Sequence, residues 1–301
     1  MLEPTAELLA LARGKEVRFT FFIDVGYLIQ AEKFTETTTE LNQVKHQIKE
    51  MMDLGHDVQL HVHPHWEKSS YVDGKWIMNT SGAYKLSDFD TTDQQNIIKK
   101  YKSYLEDLIG KKVGAYRAGG WCIQPFQDIK QVFKEVGLKI DSSVFRGGYL
   151  LTDDYSVDFT EAPGKSSYRF EEDVCLEDEN GSFLEYPISS YRYNPSFFWM
   201  LYGLGRLFPS KHKMIGDGVF LSQGTRKLSS LTSYTTSHVS TDGYFAKKLN
   251  AALEKSINLE HNEMVVIGHP KGNTRYSMVK LKEFIERNYK KHQFTSFEKE
   301  L

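Results

Sequence analysis

The chain has 301 residues, 40% of them hydrophobic and 26% charged, which is the usage of an ordinary globular protein and excludes a disordered, collagen-like or disulfide-stapled one. Its 38 Lys and Arg against 40 Asp and Glu give a formal charge of −2 with no basic run, so the electrostatic footprint of a nucleic-acid binder is missing. Two cysteines, Cys122 and Cys175, are too few for a secreted scaffold and point to a reducing, cytoplasmic setting.

Residues 1–13 lack the basic start and apolar run of a signal peptide and read as a short helix. Beyond them, segments rich in β-branched and aromatic residues alternate with helical patterns, which predicts parallel strands joined by helices. A strand is expected over 17–23, then a helix over 40–54 with Leu41, Val44 and Ile48 on one side and Gly55 closing it. A strand over 57–61, a helix over 92–109, a strand over 113–117, a helix over 125–136 and a strand over 138–144 follow. The rhythm then breaks from 146 to about 241, apart from an apolar strand at 182–188. A helix over 243–257, a strand over 264–267, a helix over 277–289 and a short strand over 294–297 end the chain. The apolar stretch 197–208 is about half the roughly 20 residues a membrane span needs and contains Gly203, Gly205 and Arg206. It is expected to pack in the core, with contact to a lipid-linked substrate as the alternative. No linker divides the chain, so residues 1–301 read as one α/β domain with an irregular insertion at 146–241.

In an α/β barrel the functional groups sit at the C-terminal ends of the strands. The polar residues expected there are Asp24, the run His61, His63 and His65, then Arg117, Asp141 and His269. Three imidazoles within five residues suit a zinc-like ion, because neutral imidazole is a standard ligand. His61 and His65 converge if the chain leaves the strand in a turn, and His61 and His63 converge if it stays extended. His56, just before the strand, reads as a structural group. His269 follows an apolar run and is placed to act as an acid or base. Arg117, before a pair of glycines, can orient a carboxylate or hold an anion.

The order of these motifs resembles the NodB-type polysaccharide deacetylases, carbohydrate esterase family 4. Phe19-Thr20-Phe21-Phe22-Ile23 looks like the second strand of that family's barrel, and Gly55-His56-Asp57 like its Gly-His-Glu element. His61 and His65 match its metal-binding pair, with Val62 where Ser or Thr is usual. Tyr116-Arg117-Ala118-Gly119-Gly120 is similar to the arginine motif without its proline. Ile140-Asp141-Ser142-Ser143-Val144 and Leu184-Glu185-Tyr186-Pro187-Ile188 look like later strands, and Val266-Ile267-Gly268-His269-Pro270 like the last motif.

The resemblance implies a distorted (β/α)7-type barrel, one strand short at its start because the family's first Asp motif has no counterpart here. It implies a metal-dependent carbohydrate N-deacetylase acting on an N-acylated saccharide, foremost an N-acetyl one. A divalent ion, zinc foremost, is expected on His61, His65 and a carboxylate, for which Asp24 is the substitute by position. An aspartate would take the proton of water, Arg117 would position it, His269 would protonate the leaving amine, and Asp141 would tune His269. Trp66, Trp76 and Trp121 are candidates for stacking on sugar. The rival readings are a saccharide-binding protein without hydrolysis and a metal-dependent amidase acting on a non-sugar C–N bond.

Overall fold

The structure, a computed structural model, describes residues 1–152, 155–216, 218 and 227–301. Helix α1 (Leu2–Ala12) leads to strand β1 (Thr20–Asp24), which passes directly into helix α2 (Val25–Ala31). Helix α3 (Thr38–Asp53), strand β2 (Asp57–Val62) and a hairpin of β3 (Ser70–Val72) and β4 (Lys75–Ile77) follow. Then come helix α4 (Thr91–Ile109), strand β5 (Ala115–Ala118), helix α5 (Gln127–Val136) and strand β6 (Ile140–Asp141). Asp90 caps α4 by accepting from Asp93 N at 2.9 Å, and α4 and α5 stop at the left-handed Gly110 and Gly137.

The stretch expected to be irregular holds more order than its sequence suggests. It contains the hairpin of β7 (Gly148–Leu151) and β8 (Ser156–Phe159), then strands β9 (Tyr168–Phe170), β10 (Phe183–Glu185) and β11 (Ser190–Tyr193). Helices α6 (Pro195–Leu207), α7 (Pro209–His212) and α8 (Lys227–Thr232) and strand β12 (Thr235–His238) complete it. Residues 153–154, 217 and 219–226 of that stretch lie outside the described ones. Helices α9 (Leu249–Asn258) and α10 (Arg275–Asn288) close the chain.

The main sheet runs β1-β2-β5-β6-β10-β9, parallel except for the antiparallel edge pair β10/β9. Isolated parallel bridges, Ile188 to Val265 and Ser240 to Ile267, extend it on one side, and Val17 to Phe294 adds one contact beside β1. Among the described residues no ladder closes these staves into a ring, so the barrel expected from the motifs is an open parallel sheet. The strands expected at 264–267 and 294–297 are reduced to these bridges.

Alternation along the strands sorts the side chains onto two faces. Val58, Leu60, Val62, Tyr116 and Ala118 point into the large core shared with the helices. The other face carries successive layers fixed by the register. Thr20 lies beside Asp57, Phe22 beside Gln59, and Asp24 beside His61, which in turn lies beside Arg117.

The layer at the N-terminal end is sealed. Gln59 Oε1 accepts from Gly114 N and Ala115 N at 3.1 and 2.8 Å, and its Nε2 donates to Asp57 Oδ1 at 2.7 Å. Asp57 Oδ2 accepts from Thr20 Oγ1 and Glu298 N. The last residues of the chain close this end, with Phe297 against Phe22 and Tyr186 and Leu301 packed on Gly114.

Candidate active site

At the opposite end, Asp24, His61 and Arg117 share one layer because they are successive register partners on adjacent parallel strands. After β2 a 3-10 turn over Pro64–Lys68 brings His65 back toward the strand end. The ring centroids of His61 and His63 are 4.6 Å apart and those of His63 and His65 are 5.2 Å apart. His63, the residue left over by the motif comparison, therefore sits between the other two. His61 Nδ1 lies 2.7 Å from Arg117 O, a contact that puts the proton on Nδ1 and leaves Nε2 with its lone pair. Burial disfavours the charged form of all three rings, lowering His61 to about 3, His65 to about 4 and His63 well below its ordinary value. They are neutral imidazoles at physiological pH.

Asp24 ends β1, and one of its oxygens is committed. Trp66 Nε1 donates to Oδ2 at 2.8 Å, while Oδ1 is buried without a partner. The indole reaches this place only because residue 26 is glycine: a Cβ there would lie 2.6 Å from Trp66 Cδ1. Burial pushes the Asp24 carboxyl up to about 7, against the pull of the Trp66 N–H, the Lys271 ammonium and the backbone N–H groups of Gly26 and Tyr27.

Arg117 is half-buried, and its desolvation lowers it to about 10. Its Nε and Nη2 donate to Ser142 O and Ser142 Oγ at 2.7 and 2.8 Å, and its guanidinium lies 4.3 Å over the Phe22 ring. The group seen holding Asp24 is thus Trp66, and the bonds of Arg117 go to Ser142.

His269 is gripped by a carboxylate that no motif marks, Asp242. Asp242 Oδ2 lies 2.7 Å from His269 Nδ1, and Oδ1 accepts from His269 N at 2.8 Å. Burial works against the charge of Asp242, yet the contacts with His269 hold its carboxyl below its ordinary value. Lys271 faces both Asp24 and Asp242 electrostatically. Charges on His269 and Lys271 are felt at His61, which places the two histidine groups in one electrostatic neighbourhood.

Asp141 takes no part in this layer. It is the register partner of Tyr116, one residue out of phase with Arg117, and so lies on the opposite face of the sheet. Its oxygens accept from Ser143 N and Oγ, and Glu185 stands beside it on β10. The carboxylate on His269 is Asp242, in place of the expected Asp141.

The remaining candidates are placed as follows. His56 Nδ1 accepts from Phe19 N at 3.2 Å and the ring stacks on Phe19, a structural role as expected. Trp66 packs edge-on to Trp76 at 5.0 Å in a cluster with Tyr27. Trp121, half-buried beyond Arg117, packs on Phe145 and His238. Cys122 and Cys175 are free and buried.

The donor chemistry suits a divalent cation, since the imidazoles are neutral and Asp24 Oδ1, His63 Nδ1 and His65 Nδ1 are buried atoms without partners. Among the described residues, however, no three His, Cys, Asp or Glu side chains are brought together as a group that could hold a metal ion.

No protein-family model matches the chain, and no curated protein matches it. Solved structures do. A Mycobacterium smegmatis protein assigned as a polysaccharide deacetylase matches with a TM-score of 0.52 and 16% identity, over 96% of this chain and 72% of that one. An allantoinase matches with a TM-score of 0.50 and 14% identity, over 97% of this chain and 68% of that one. What these proteins share with this chain is the fold.

Proposed function

We propose that the protein is a metal-dependent hydrolase of N-acyl groups, foremost N-acetyl groups, on a saccharide. The observation that carries this reading is the single layer of Asp24, His61 and Arg117 at the C-terminal end of the sheet, with Asp242-bound His269 in its neighbourhood. His61, His65 and Asp24 Oδ1 are the groups that would hold a divalent ion, zinc foremost. When bound, such an ion polarises an acyl oxygen and acidifies water.

The chain's own residues supply the rest. Trp66 occupies Asp24 Oδ2 and so selects Oδ1 as the oxygen presented. Arg117 provides fixed positive charge beside His61, and Lys271 favours the anionic forms of Asp24 and Asp242. Asp242 holds the Nδ1 edge of the His269 ring, which leaves Nε2 as the nitrogen from which a proton would pass to a departing amine.

Release of acetate from an N-acetylated oligosaccharide in the presence of zinc tests the reading, with allantoin as a non-sugar amide for comparison. Wild type should release acetate and His269→Ala should not, by on the order of 10²–10⁴ in rate. An undiminished rate in His269→Ala removes its acid role, and turnover of allantoin alone would move the substrate off sugars. The lack of a three-donor group among the described residues favours a second reading, a saccharide-binding protein without turnover. Glycan binding with no acetate release under any added metal would select it.

A further inference from the structure

Helix α6 is apolar on all sides, yet only one side is covered. Phe197 and Phe198 are buried, and with the partly buried Leu201 and Leu204 they pack into a cluster with Tyr193 and Tyr244. At 100° per residue, Trp199, Met200, Arg206 and Leu207 share the other side. There Trp199 is 62% exposed and Leu207 72%, and Phe208, just past the helix end, is 49% exposed. Trp199 is fixed at the surface by donating Nε1–H to Leu231 O at 3.0 Å. Tyr234, 60% exposed, lies nearby in sequence before β12. A helix hydrophobic all round is normally enclosed on every side, and isolated exposed apolar residues need no explanation, but a stripe of this kind does.

Charge says what the stripe faces. From residue 186 to 216 the chain has no Asp or Glu, and it has none again from 227 to 241. These two segments carry Arg192, Arg206, Lys211, Lys213 and Lys227 in a protein whose formal net charge is −2. Two of the cations stand over rim aromatics, Arg192 4.4 Å over Tyr234 and Lys211 5.8 Å over Phe208. Aromatic and aliphatic side chains in segments that carry Lys and Arg but no Asp or Glu complement an anionic lipid surface. Among the described residues no helix is long and apolar enough to cross a membrane. At 13 residues α6 is roughly 20 Å long and can lie only in the interface.

We propose that the face built by α6 and the segments flanking it docks on an anionic phospholipid bilayer. The helix that carries the docked face packs by its opposite, buried side on the segment that follows Asp242, with Phe197 on Tyr244 and Phe245 at 5.1 and 5.3 Å. This does not depend on which bond the site cleaves.

Co-sedimentation of the full chain with vesicles tests it, using phosphatidylcholine alone and an equimolar mixture with phosphatidylglycerol. The protein should bind the mixed vesicles and bind phosphatidylcholine alone at least about tenfold more weakly. The double substitution Leu207→Ser with Phe208→Ser should cut binding to the mixed vesicles at least about tenfold at an unchanged melting temperature. Lys211→Glu with Lys213→Glu should weaken binding and flatten its salt dependence. Absence of binding to the mixed vesicles, or undiminished binding by the Leu207 and Phe208 variant, overturns the proposal. So does a concentration-dependent dimer that the same substitutions dissolve, since the occupant is then a second copy of the chain.

Discussion

At the N-terminal end of the sheet, Thr20, Asp57 and Gln59 exchange hydrogen bonds with one another and with the backbone, and the chain's own last residues cover them. At the C-terminal end, a few residues along the same strands, Asp24 Oδ1, His63 Nδ1 and His65 Nδ1 are buried with nothing to bind. An orphaned buried polar atom costs about 1–3 kcal/mol. One end has its polar groups satisfied within the chain, and the other leaves these three atoms without a partner. This contrast, more than any one residue, is what sets the proposed site apart from the structural polar layer.

The contrast can be broken from either side. The largest effect is expected for Asp242→Asn, which keeps the shape but replaces the charged partner of His269. Acetate release should fall on the order of ten- to a hundredfold, with chemical denaturation showing little change in stability. A rate within twofold of wild type would mean that Asp242 only packs. At the sealed end, Gln59→Leu leaves Gly114 N and Ala115 N without their acceptor and should cost about 2–4 kcal/mol of stability in denaturant. It should leave turnover per folded molecule alone.

His63→Leu should do the reverse. It removes an unsatisfied buried nitrogen, so the metal-free protein should gain about 1 kcal/mol while activity drops. A loss of stability there would show that the nitrogen is satisfied after all.

The smallest effect lies on the far face of the sheet. Burial and the neighbouring Asp141 push the Glu185 carboxyl well above its ordinary 4.5. The folded carboxyl therefore holds its proton more tightly than the unfolded one, and wild-type stability falls as pH rises above about 4.5 toward the folded value. Glu185→Gln should remove that fall, and a pH profile parallel to wild type would contradict it.

Much of the helical and strand rhythm of the first 145 residues was legible because α3, α4 and α5 each have an apolar side and end at a glycine, as α4 does at Gly110, whereas α2, buried nearly all round, and the β3/β4 hairpin carry no such period. His61 and His65 could be singled out by motif, but the placing of His63 between them depends on a 3-10 turn that periodicity does not reveal. The phase of β6 was equally hidden. Two residues, Ile140 and Asp141, carry alternation without saying which one faces the site, and only pairing with Tyr116 decides it. Asp242 lies in a stretch with no period, and it meets His269 because Ser240 bridges Ile267, a contact between segments that never form a ladder. A clue was present in Ser240-Thr241-Asp242-Gly243, a short polar run just before a helical pattern.

The most direct test is calorimetric titration of the metal-free protein with zinc. Wild type should show one site, and Asp24→Asn and His65→Ala should each weaken it at least about tenfold, with Gln59→Leu binding as wild type does. Equal affinity in Asp24→Asn and wild type would contradict the assignment of the C-terminal layer as the metal-binding end of the sheet.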